Sequence, residues 1–196
     1  GYAAEVVDAA LAAGWSVTGV YDDDPNLIGK KVSGIRCAGS IDDFWPSDAE
    51  YFVVAIGNNK IRKQLYGTGA KCCKRGGVVI HPSAVIGSGA ILGEGSYIGA
   101  GAFVGPNSDL GKHSIVNVCA SVGHDAKLGN YAQLCPGARL SGGSKVGEGG
   151  FLGSNSVLAP SIGIGAWAQV SACSFVHRNV PSRAVASGVP ARIHQI

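Results

Sequence analysis

The pattern of apolar positions changes near residue 78, and beyond that point it repeats every six residues. An aliphatic residue occupies every sixth position from Ile80 to Val176, with no position missed. The next residue is usually glycine, and the residue four positions after the aliphatic one is usually alanine or serine. A period of six fits neither the helical turn of about 3.6 residues nor the two-residue alternation of a strand. It predicts a triangular coil, in which each group of six residues forms one short strand and one turn.

Three such groups make an 18-residue rung, and residues 80–181 supply between five and six rungs. We expect the aliphatic side chains to point inward and the small side chains to fit the narrow corners. The glycine after each aliphatic residue is expected to accept the backbone dihedrals of the turn. Each rung then covers the apolar surface of the rung below, so stability accumulates by stacking.

The first part of the chain lacks this period and has the pattern of an alternating α/β unit. Apolar residues at helical spacing over 2–13 predict a helix, and Gly14 follows at the position of a C-cap. Apolar runs at 16–21 and 51–56 predict two strands, and a second helix is predicted over 60–66. Alternating elements of this length predict a small parallel sheet.

The predicted fold class is therefore an α/β, Rossmann-like N-terminal domain followed by an all-β parallel β-helix of hexapeptide repeats. We place the boundary after the glycine-rich stretch at 67–77, which gives domains of 1–78 and 79–196. Because no strand precedes the first helix, we expect the Rossmann-like domain to lack its first strand. Only Gly1 can belong to a phosphate-binding glycine motif, so a complete motif of that kind is not testable.

Composition indicates a folded chain with many tight turns, since 46% of residues are hydrophobic, 15% are charged and 31 are glycine. The dispersed net charge of +3 predicts no nucleic-acid partner. No apolar run approaches the roughly 20 residues of a membrane span and no signal peptide is visible, so we expect a cytoplasmic protein without membrane insertion. The cysteines show no zinc-binding spacing, and adjacent Cys72 and Cys73 make a poor disulfide pair, which predicts reduced thiols.

Counting along the chain rung by rung brings a candidate catalytic pair together. His124 lies in a turn, two residues after Val122, and Gly142 lies one rung further along. Neighbouring rungs are separated by about 4.8 Å, so the N–H of Gly142 can face a group held above His124. Transfer from a thioester requires a base for the acceptor's proton and a donor for the developing oxyanion. Histidine is the natural base near neutral pH, and Asp125 can orient it.

The other histidines do not predict a metal site within one subunit. A zinc site needs about three or four converging ligands. The spacings between these histidines and His124 do not stack them on adjacent rungs: His81, His113, His177 and His194. Ligands contributed by two subunits remain open.

Carboxylates follow one predicted strand of the front domain, and a glycine-asparagine run follows the other. Asp22 and Asp23 come after the strand at 16–21, and Gly57 begins the run after 51–56. Ligands of open α/β sheets bind at such strand ends, where a carboxylate suits a ribose hydroxyl or a base edge. The same residue types also end strands simply as turns, and both interpretations stay open.

Several motifs in combination point to a known family. They are Gly1-Tyr2-Ala3-x-Glu5-Val6, Tyr21-Asp22-Asp23-Asp24-Pro25, Ala55-Ile56-Gly57-Asn58-Asn59-x-Ile61-Arg62, Ile80-His81-Pro82-Ser83-Ala84, Asn117 through His124-Asp125, and Gly188-Val189-Pro190-Ala191. With them the chain resembles the sialic acid O-acetyltransferase and UDP-sugar N-acetyltransferase family, which includes bacillosamine-pathway N-acetyltransferases. The resemblance covers essentially the whole chain.

The resemblance implies a left-handed coil, acetyl-CoA as co-substrate without a metal, and a homotrimer with active sites between subunits. It implies that His124 is the general base, that Asp125 is its acidic partner and that Gly142 donates its N–H to the acetyl carbonyl. The implied acetyl-CoA contacts are Gln133, Gly142, Ser154 and Ala172. The implied acceptor contacts are Gly1, Tyr2, Asp22, Asp23, Gly57, Lys60 and Asn117. Family members often have a second histidine where this chain has Gln133, which can hydrogen-bond but cannot act as a base.

The predicted function is acetyl-CoA-dependent N-acetylation of an amino group on a nucleotide-linked deoxyamino sugar. The first alternative is O-acetylation of sialic acid or another sugar hydroxyl. More distant alternatives are a γ-type carbonic anhydrase, which requires a three-histidine metal site, and a non-catalytic β-helix that serves in assembly.

Overall fold

The computed structural model describes residues 1–44, 47–71 and 74–195, so Cys72 and Cys73 lie outside the described residues. Within the described residues of the front region, residues 1–78, there are three helices and five short strands. The helices are α1 (Tyr2–Ala12), α2 (Ile41–Phe44) and α3 (Asn59–Lys71). The strands are β1 (Val20–Tyr21), β2 (Lys31–Val32), β3 (Ile35–Gly39), β4 (Tyr51–Phe52) and β5 (Arg75–Gly76).

The front region contains two small sheets rather than one continuous parallel sheet. Strand β3 pairs in parallel with β1 and antiparallel with β2, whereas β4 pairs in parallel with β5. A cleft of about 1310 Å³ lies between them, lined by α1 and by residues 15–23 and 49–56. The predicted strands at 16–21 and 51–56 therefore shorten to two paired residues each, because the rest of each run borders the cleft instead of a neighbouring strand.

The predicted second helix is longer than expected. It was expected over 60–66, with the glycine-rich stretch beyond it, but α3 runs from Asn59 to Lys71. The Asn58 side chain caps its first turn by accepting hydrogen bonds from the N–H groups of Lys60 and Ile61, at 3.0 and 3.2 Å. The helix packs against the coil, and this tertiary contact outweighs the low helix propensity of Gly67.

The second part of the chain is the predicted coil, with 17 hexapeptide strands on three flat faces. The first face holds Val85–Ile86, Phe103–Val104, Ser121–Val122, Arg139–Leu140, Val157–Leu158 and Phe175–Val176. The second face holds Ile91–Leu92, Asp109–Leu110, Lys127–Leu128, Lys145–Val146 and Gly163–Ile164. The third face begins with Val79–Ile80, Tyr97–Ile98, Ile115–Val116, Gln133–Leu134, Phe151–Leu152 and Gln169–Val170.

A hairpin of Ala184–Gly188 and Ala191–Gln195 extends the third face. All other pairs on the three faces are parallel and offset by one full rung; Val104, for example, lies opposite Val122. The rung length predicted from the sequence is confirmed. Between two faces lies a corner, made by the turn that joins their strands.

The aliphatic residues fill the interior of the coil, as the six-residue period predicts. Val104, Leu134 and Leu158 have no exposed surface, and the small corner residues Ala132 and Ser108 are equally buried. Burying a side chain such as leucine or valine contributes about 1.5–3 kcal/mol, so each added rung stabilises the stack.

The glycine that follows each aliphatic residue has a different task from the one expected. The left-handed backbone position lies two residues after it, for example at Asp125, where φ is +55°. The glycine itself is needed for close approach between rungs, since a Cβ atom on Gly93 would lie 2.5 Å from the backbone nitrogen of Lys112. The expectation that this glycine supplies the turn dihedrals is therefore wrong.

The front region packs against the third face. Val6 and Ala9 of α1 form one buried cluster with Tyr97 and Ile115 of that face. Helix α3 lies against the corner between the second and third faces. Within the described part of the chain, no helix is long and apolar enough to cross a membrane.

Candidate active site

His124 and Asp125 occupy the corner between the first and second faces. Their turn is held by both neighbouring rungs, because the Asp125 N–H donates to the Pro106 carbonyl at 3.0 Å and the Gly143 N–H donates to the His124 carbonyl at 2.9 Å. Asp125 lies in this turn with a left-handed φ of +55°. The corner therefore presents both side chains to solvent from a rigid backbone.

The two side chains form a charge-assisted hydrogen bond. His124 Nδ1 lies 2.7 Å from Asp125 Oδ2, and the side chains are 71% and 60% exposed. The hydrogen bond from His124 lowers the pKa of the Asp125 carboxyl, with a smaller contribution from the Asn107 side chain. An ionised Asp125 accepts the proton of Nδ1–H. This arrangement leaves the Nε2 lone pair of a neutral imidazole free to accept another proton.

The imidazole ring lies directly over Gly142. A Cβ atom at Gly142 would be 2.5 Å from His124 Nε2, so a side chain there would collide with the ring. The Gly142 carbonyl accepts a hydrogen bond from the Ser161 N–H at 3.1 Å, whereas its own N–H has no hydrogen-bond acceptor within the described residues. The structure thus brings a proton acceptor and a free backbone donor together, as counting in rungs predicts.

The other residues implied for acetyl-CoA lie elsewhere on the same chain. Ser154 and Ala172 are one rung apart and stack on the corner between the third and first faces, on the far side of the first face from His124. Gln133 lies on the third face beside Ile115, and is 7% exposed. Its Nε2 donates to Cys135 Sγ at 3.6 Å, and its Oε1 has no hydrogen-bond partner among the described residues. A single subunit therefore does not bring these three residues to His124.

Asn117 also lies on the corner between the third and first faces. It is 6% exposed, and its Oδ1 accepts the N–H of Val118 at 2.7 Å, within its own turn. A single subunit holds Asn117 apart from His124 as well.

Two of the implied acceptor residues of the front region lie at the cleft and also make hydrogen bonds within the chain. Asp22 and Asp23 line the cleft. Asp22 Oδ1 accepts the Asp24 N–H, and Asp23 Oδ1 accepts the Ile41 N–H at the start of α2, each at 2.9 Å. The Asp22 contact is a turn contact of the kind that the sequence left open, whereas the Asp23 contact reaches the start of α2, 18 residues along the chain. Each carboxylate retains a second oxygen.

The remaining front-region residues lie at the starts of two helices. Gly1 precedes α1, and the Tyr2 ring packs edge-on against Tyr97 of the coil at 5.6 Å. Burial raises the pKa of the Tyr2 phenol well above its usual value. Gly57 and Lys60 are exposed at the start of α3. The ring packing gives Tyr2 a structural contact that the sequence did not predict.

Sequence reasoning missed Arg62, which is 1% exposed and joins α3 to the coil. Its motif was recognised, but helical spacing alone does not distinguish a buried arginine from a solvated one. Among the described residues, no group of three or more His, Cys, Asp or Glu side chains is placed to hold a metal ion.

Comparisons with known proteins match both parts of the chain. The family model of the PglD N-terminal domain matches residues 1–68, and the model of the bacterial transferase hexapeptide (six repeats) matches residues 75–106. No curated protein sequence matches the chain significantly.

Solved structures match it over nearly its whole length. A variant of perosamine N-acetyltransferase from Caulobacter crescentus, in complex with CoA and GDP-perosamine, is 34% identical with a TM-score of 0.94, over 99% of this chain and 92% of its own. The acetyltransferase domain of PglB from Neisseria gonorrhoeae FA1090 is 30% identical with a TM-score of 0.93, over 98% and 94% of the two chains. WeeI from Acinetobacter baumannii AYE is 26% identical with a TM-score of 0.90, over 99% and 95%.

The left-handed parallel β-helix and its similarity to these solved structures define this protein as a hexapeptide-repeat acetyltransferase. The front region narrows the class further. The chain belongs to the family of sugar N-acetyltransferases that have a PglD-type N-terminal domain.

Proposed function

We propose that this enzyme transfers acetyl from acetyl-CoA to an amino group of a nucleotide-linked deoxyamino sugar. The observation that carries the proposal is the His124 ring, bound to Asp125 through Nδ1 and lying over Gly142. The relative from Caulobacter crescentus binds CoA and GDP-perosamine, and the PglB domain has been solved with acetyl coenzyme A. Both ligand classes are consistent with the proposal.

The chemistry at this corner is a direct acyl transfer. His124 Nε2 takes a proton from the sugar amine as its nitrogen forms a bond to the thioester carbon. The carbonyl oxygen becomes an oxyanion, which the free N–H of Gly142 stabilises. The tetrahedral intermediate then collapses, the carbon–sulfur bond breaks, and the CoA thiolate leaves and takes up the proton. A general base contributes about 10²–10⁴-fold and an oxyanion donor about 10²–10³-fold.

The front region supplies the acceptor site in this proposal. Asp22 and Asp23 offer carboxylate oxygens to the ribose or base from the rim of the cleft, and the exposed Lys60 ammonium is suited to the phosphates. Gly1, Tyr2, Gly57 and Asn117 complete the proposed acceptor contacts. A deprotonated amine is a better nucleophile than a hydroxyl, which favours N-acetylation over O-acetylation of sialic acid.

The proposed active enzyme is a homotrimer with its sites between subunits. His124 lies on one edge of the first face, whereas Ser154 and Ala172 lie on its other edge. Three copies that place their first faces around a common axis bring the His124 corner of one subunit to the Ser154 corner of the next. The outward side chains of this face include Val85, Phe103 and Phe175, which are 57%, 42% and 39% exposed. Covering them is favourable.

Gln133 completes the proposed acetyl-CoA contacts through its unpartnered Oε1. We place the enzyme in the cytoplasm, where acetyl-CoA and nucleotide sugars occur. Its described cysteines are free thiols, consistent with a reducing compartment: Cys37, Cys119, Cys135 and Cys173.

The test is a thiol-release assay with acetyl-CoA against a panel of GDP-, UDP- and dTDP-linked amino sugars and free sialic acid. We expect turnover with at least one nucleotide-linked amino sugar, and a product whose mass and NMR spectrum locate acetyl on nitrogen. If the enzyme acetylates sialic acid and none of the nucleotide sugars, the proposal is wrong and O-acetylation is the activity.

A further inference from the structure

Arg62 is a buried charge at the junction between the front region and the coil. It lies in the first turn of α3 with 1% of its surface exposed. No other Arg, Lys, Asp or Glu among the described residues is buried. A buried guanidinium costs free energy unless its N–H groups find acceptors, so its contacts indicate what it is for.

Two of these contacts reach successive rungs of the coil. Arg62 Nε donates to the His113 carbonyl at 2.9 Å, and Nη2 donates to the Tyr131 carbonyl at 2.7 Å. His113 and Tyr131 are one rung apart and stack on the corner between the second and third faces. Asn59, one helical turn before Arg62, continues the series on the next rung, because its Nδ2 donates to the Gly149 carbonyl at 3.1 Å.

Two further contacts hold the start of the helix and the residues just before it. Arg62 Nη1 donates to the Ile56 carbonyl at 2.8 Å, and Nη2 also donates to Asn59 Oδ1 at 3.0 Å. Residues 56–60, here called the acceptor loop, include Gly57 and Lys60. One planar guanidinium thus binds Ile56 and Asn59 of the acceptor loop and two rungs of the coil.

The acceptors of Arg62 are neutral oxygens, and no carboxylate lies among its hydrogen-bond partners. Burial lowers the pKa of Arg62 to about 10, so the side chain keeps its charge at neutral pH. Stability alone does not require a charge here, because a well-packed apolar residue is often as good or better. The planar guanidinium instead holds its N–H groups in fixed directions, so that the loop and coil oxygens that accept from it must lie in one relative arrangement.

We propose that Arg62 is a positioning residue, which fixes the acceptor loop against the coil so that the bound sugar meets the catalytic corner in one orientation. This inference rests on the proposed function, in which the acceptor loop holds the nucleotide. Acetyl-CoA, whose proposed contacts lie on the coil, does not depend on Arg62.

The test compares wild-type enzyme with Arg62→Lys, in which one ammonium cannot reach all four acceptors. We expect the KM for the nucleotide-linked amino sugar to rise about tenfold or more, while the KM for acetyl-CoA stays within about twofold of wild type. The control is Lys63→Gln, which removes the exposed Lys63–Glu148 ion pair between the same two elements. It should leave both KM values unchanged.

A measurement without turnover separates this inference from the proposed function. Amide hydrogen exchange of the free enzyme should become faster over residues 56–62 in Arg62→Lys, with the coil as protected as in wild type. If the exchange of residues 56–62 and the acceptor KM both match wild type, Arg62 is not a positioning residue. If no nucleotide sugar is a substrate, the proposed function fails and exchange alone decides the question for Arg62. If Arg62→Lys does not fold, Asn59→Ala replaces it in both measurements.

Discussion

At the scale of single residues, the charge of Asp125 determines which ring nitrogen of His124 carries the proton. An ionised carboxylate accepts the hydrogen bond of Nδ1–H, and in the proposed mechanism it stabilises the imidazolium that forms during transfer. Asp125→Asn keeps the size of the side chain but removes this charge. We predict a lower kcat/KM, with a loss smaller than the roughly 10²–10⁴-fold expected when the base itself is removed. Steady-state kinetics check this, with the exposed Asp8→Asn as control; equal activity of both variants would leave Asp125 without a role.

His113 makes a second prediction, which concerns stability. Its ring is fully buried, and in the described part of the chain neither ring nitrogen has a hydrogen-bond partner. The ring centroid lies 4.1 Å from that of Tyr66 and 5.9 Å from that of Tyr131. Burial lowers the pKa of His113 from 6.5 to about 4, with Arg62 and Lys112 adding to the shift and Glu94 opposing it. The unfolded chain therefore binds more protons than the folded chain between these two values, and stability falls as pH falls through that window.

His113→Phe keeps an aromatic ring but cannot titrate. We predict that the loss of unfolding free energy between pH 6.5 and 4 becomes smaller by about 3 kcal/mol. Denaturant unfolding of both proteins at several pH values measures the difference in slope, whatever the absolute stability of the variant. Identical slopes would show that His113 does not carry the acid sensitivity.

At the scale of elements, the glycines of the coil and of α3 should respond in opposite ways to substitution. Gly93→Ala places a Cβ atom 2.5 Å from the Lys112 backbone nitrogen, and we predict a destabilisation of about 1–3 kcal/mol. Gly67→Ala, on the exposed side of α3 with nothing within 4 Å, should stabilise by about 0.5–1 kcal/mol. Chemical denaturation measures both. A neutral Gly93→Ala would contradict the close approach between rungs.

The elements also show how far a pattern of apolar residues can be read. The six-residue period determines the strands, the rungs and the buried positions, because each repeat meets the same neighbours. It carries no information on how closely the backbones of neighbouring rungs approach. For that reason the period does not show that Gly93 and its equivalents are needed for close approach and do not supply the turn dihedrals. In the front region, Val17 and Val54 are of a residue type that is common in strands, but both border the cleft and lie outside the paired strands. A strand forms only where a neighbouring strand pairs with it, and the sequence of one apolar run does not show whether such a neighbour exists.

At the scale of the whole molecule, the exposed side chains of Val85, Phe103 and Phe175 on the first face are predicted to hold the proposed trimer together. Phe103→Lys should reduce the assembled mass measured by light scattering and lower activity in proportion. Ile91→Lys provides the control, because Ile91 is 63% exposed on the second face, outside the proposed contact. A trimer that survives Phe103→Lys unchanged would place the interface elsewhere.

The candidate site was predictable only where its residues share one corner. His124 and Gly142 are one rung apart, and the period of the repeat was sufficient to bring them together. Ser154 and Ala172 lie on another corner, and only the proposed trimer brings them to the His124 of a neighbouring subunit, which the rung period does not describe. Arg62 reaches carbonyl groups 51 and 69 residues away, and no local pattern reports such contacts.

The proposed chemistry is tested most directly by His124→Ala. The assay measures kcat for acetyl transfer to the nucleotide-linked amino sugar, with CoA binding followed by calorimetry and the exposed His194→Ala as control. Loss of the base predicts a kcat lower by about 10²–10⁴-fold, with CoA affinity and the control unchanged. Wild-type kcat in His124→Ala would contradict the mechanism.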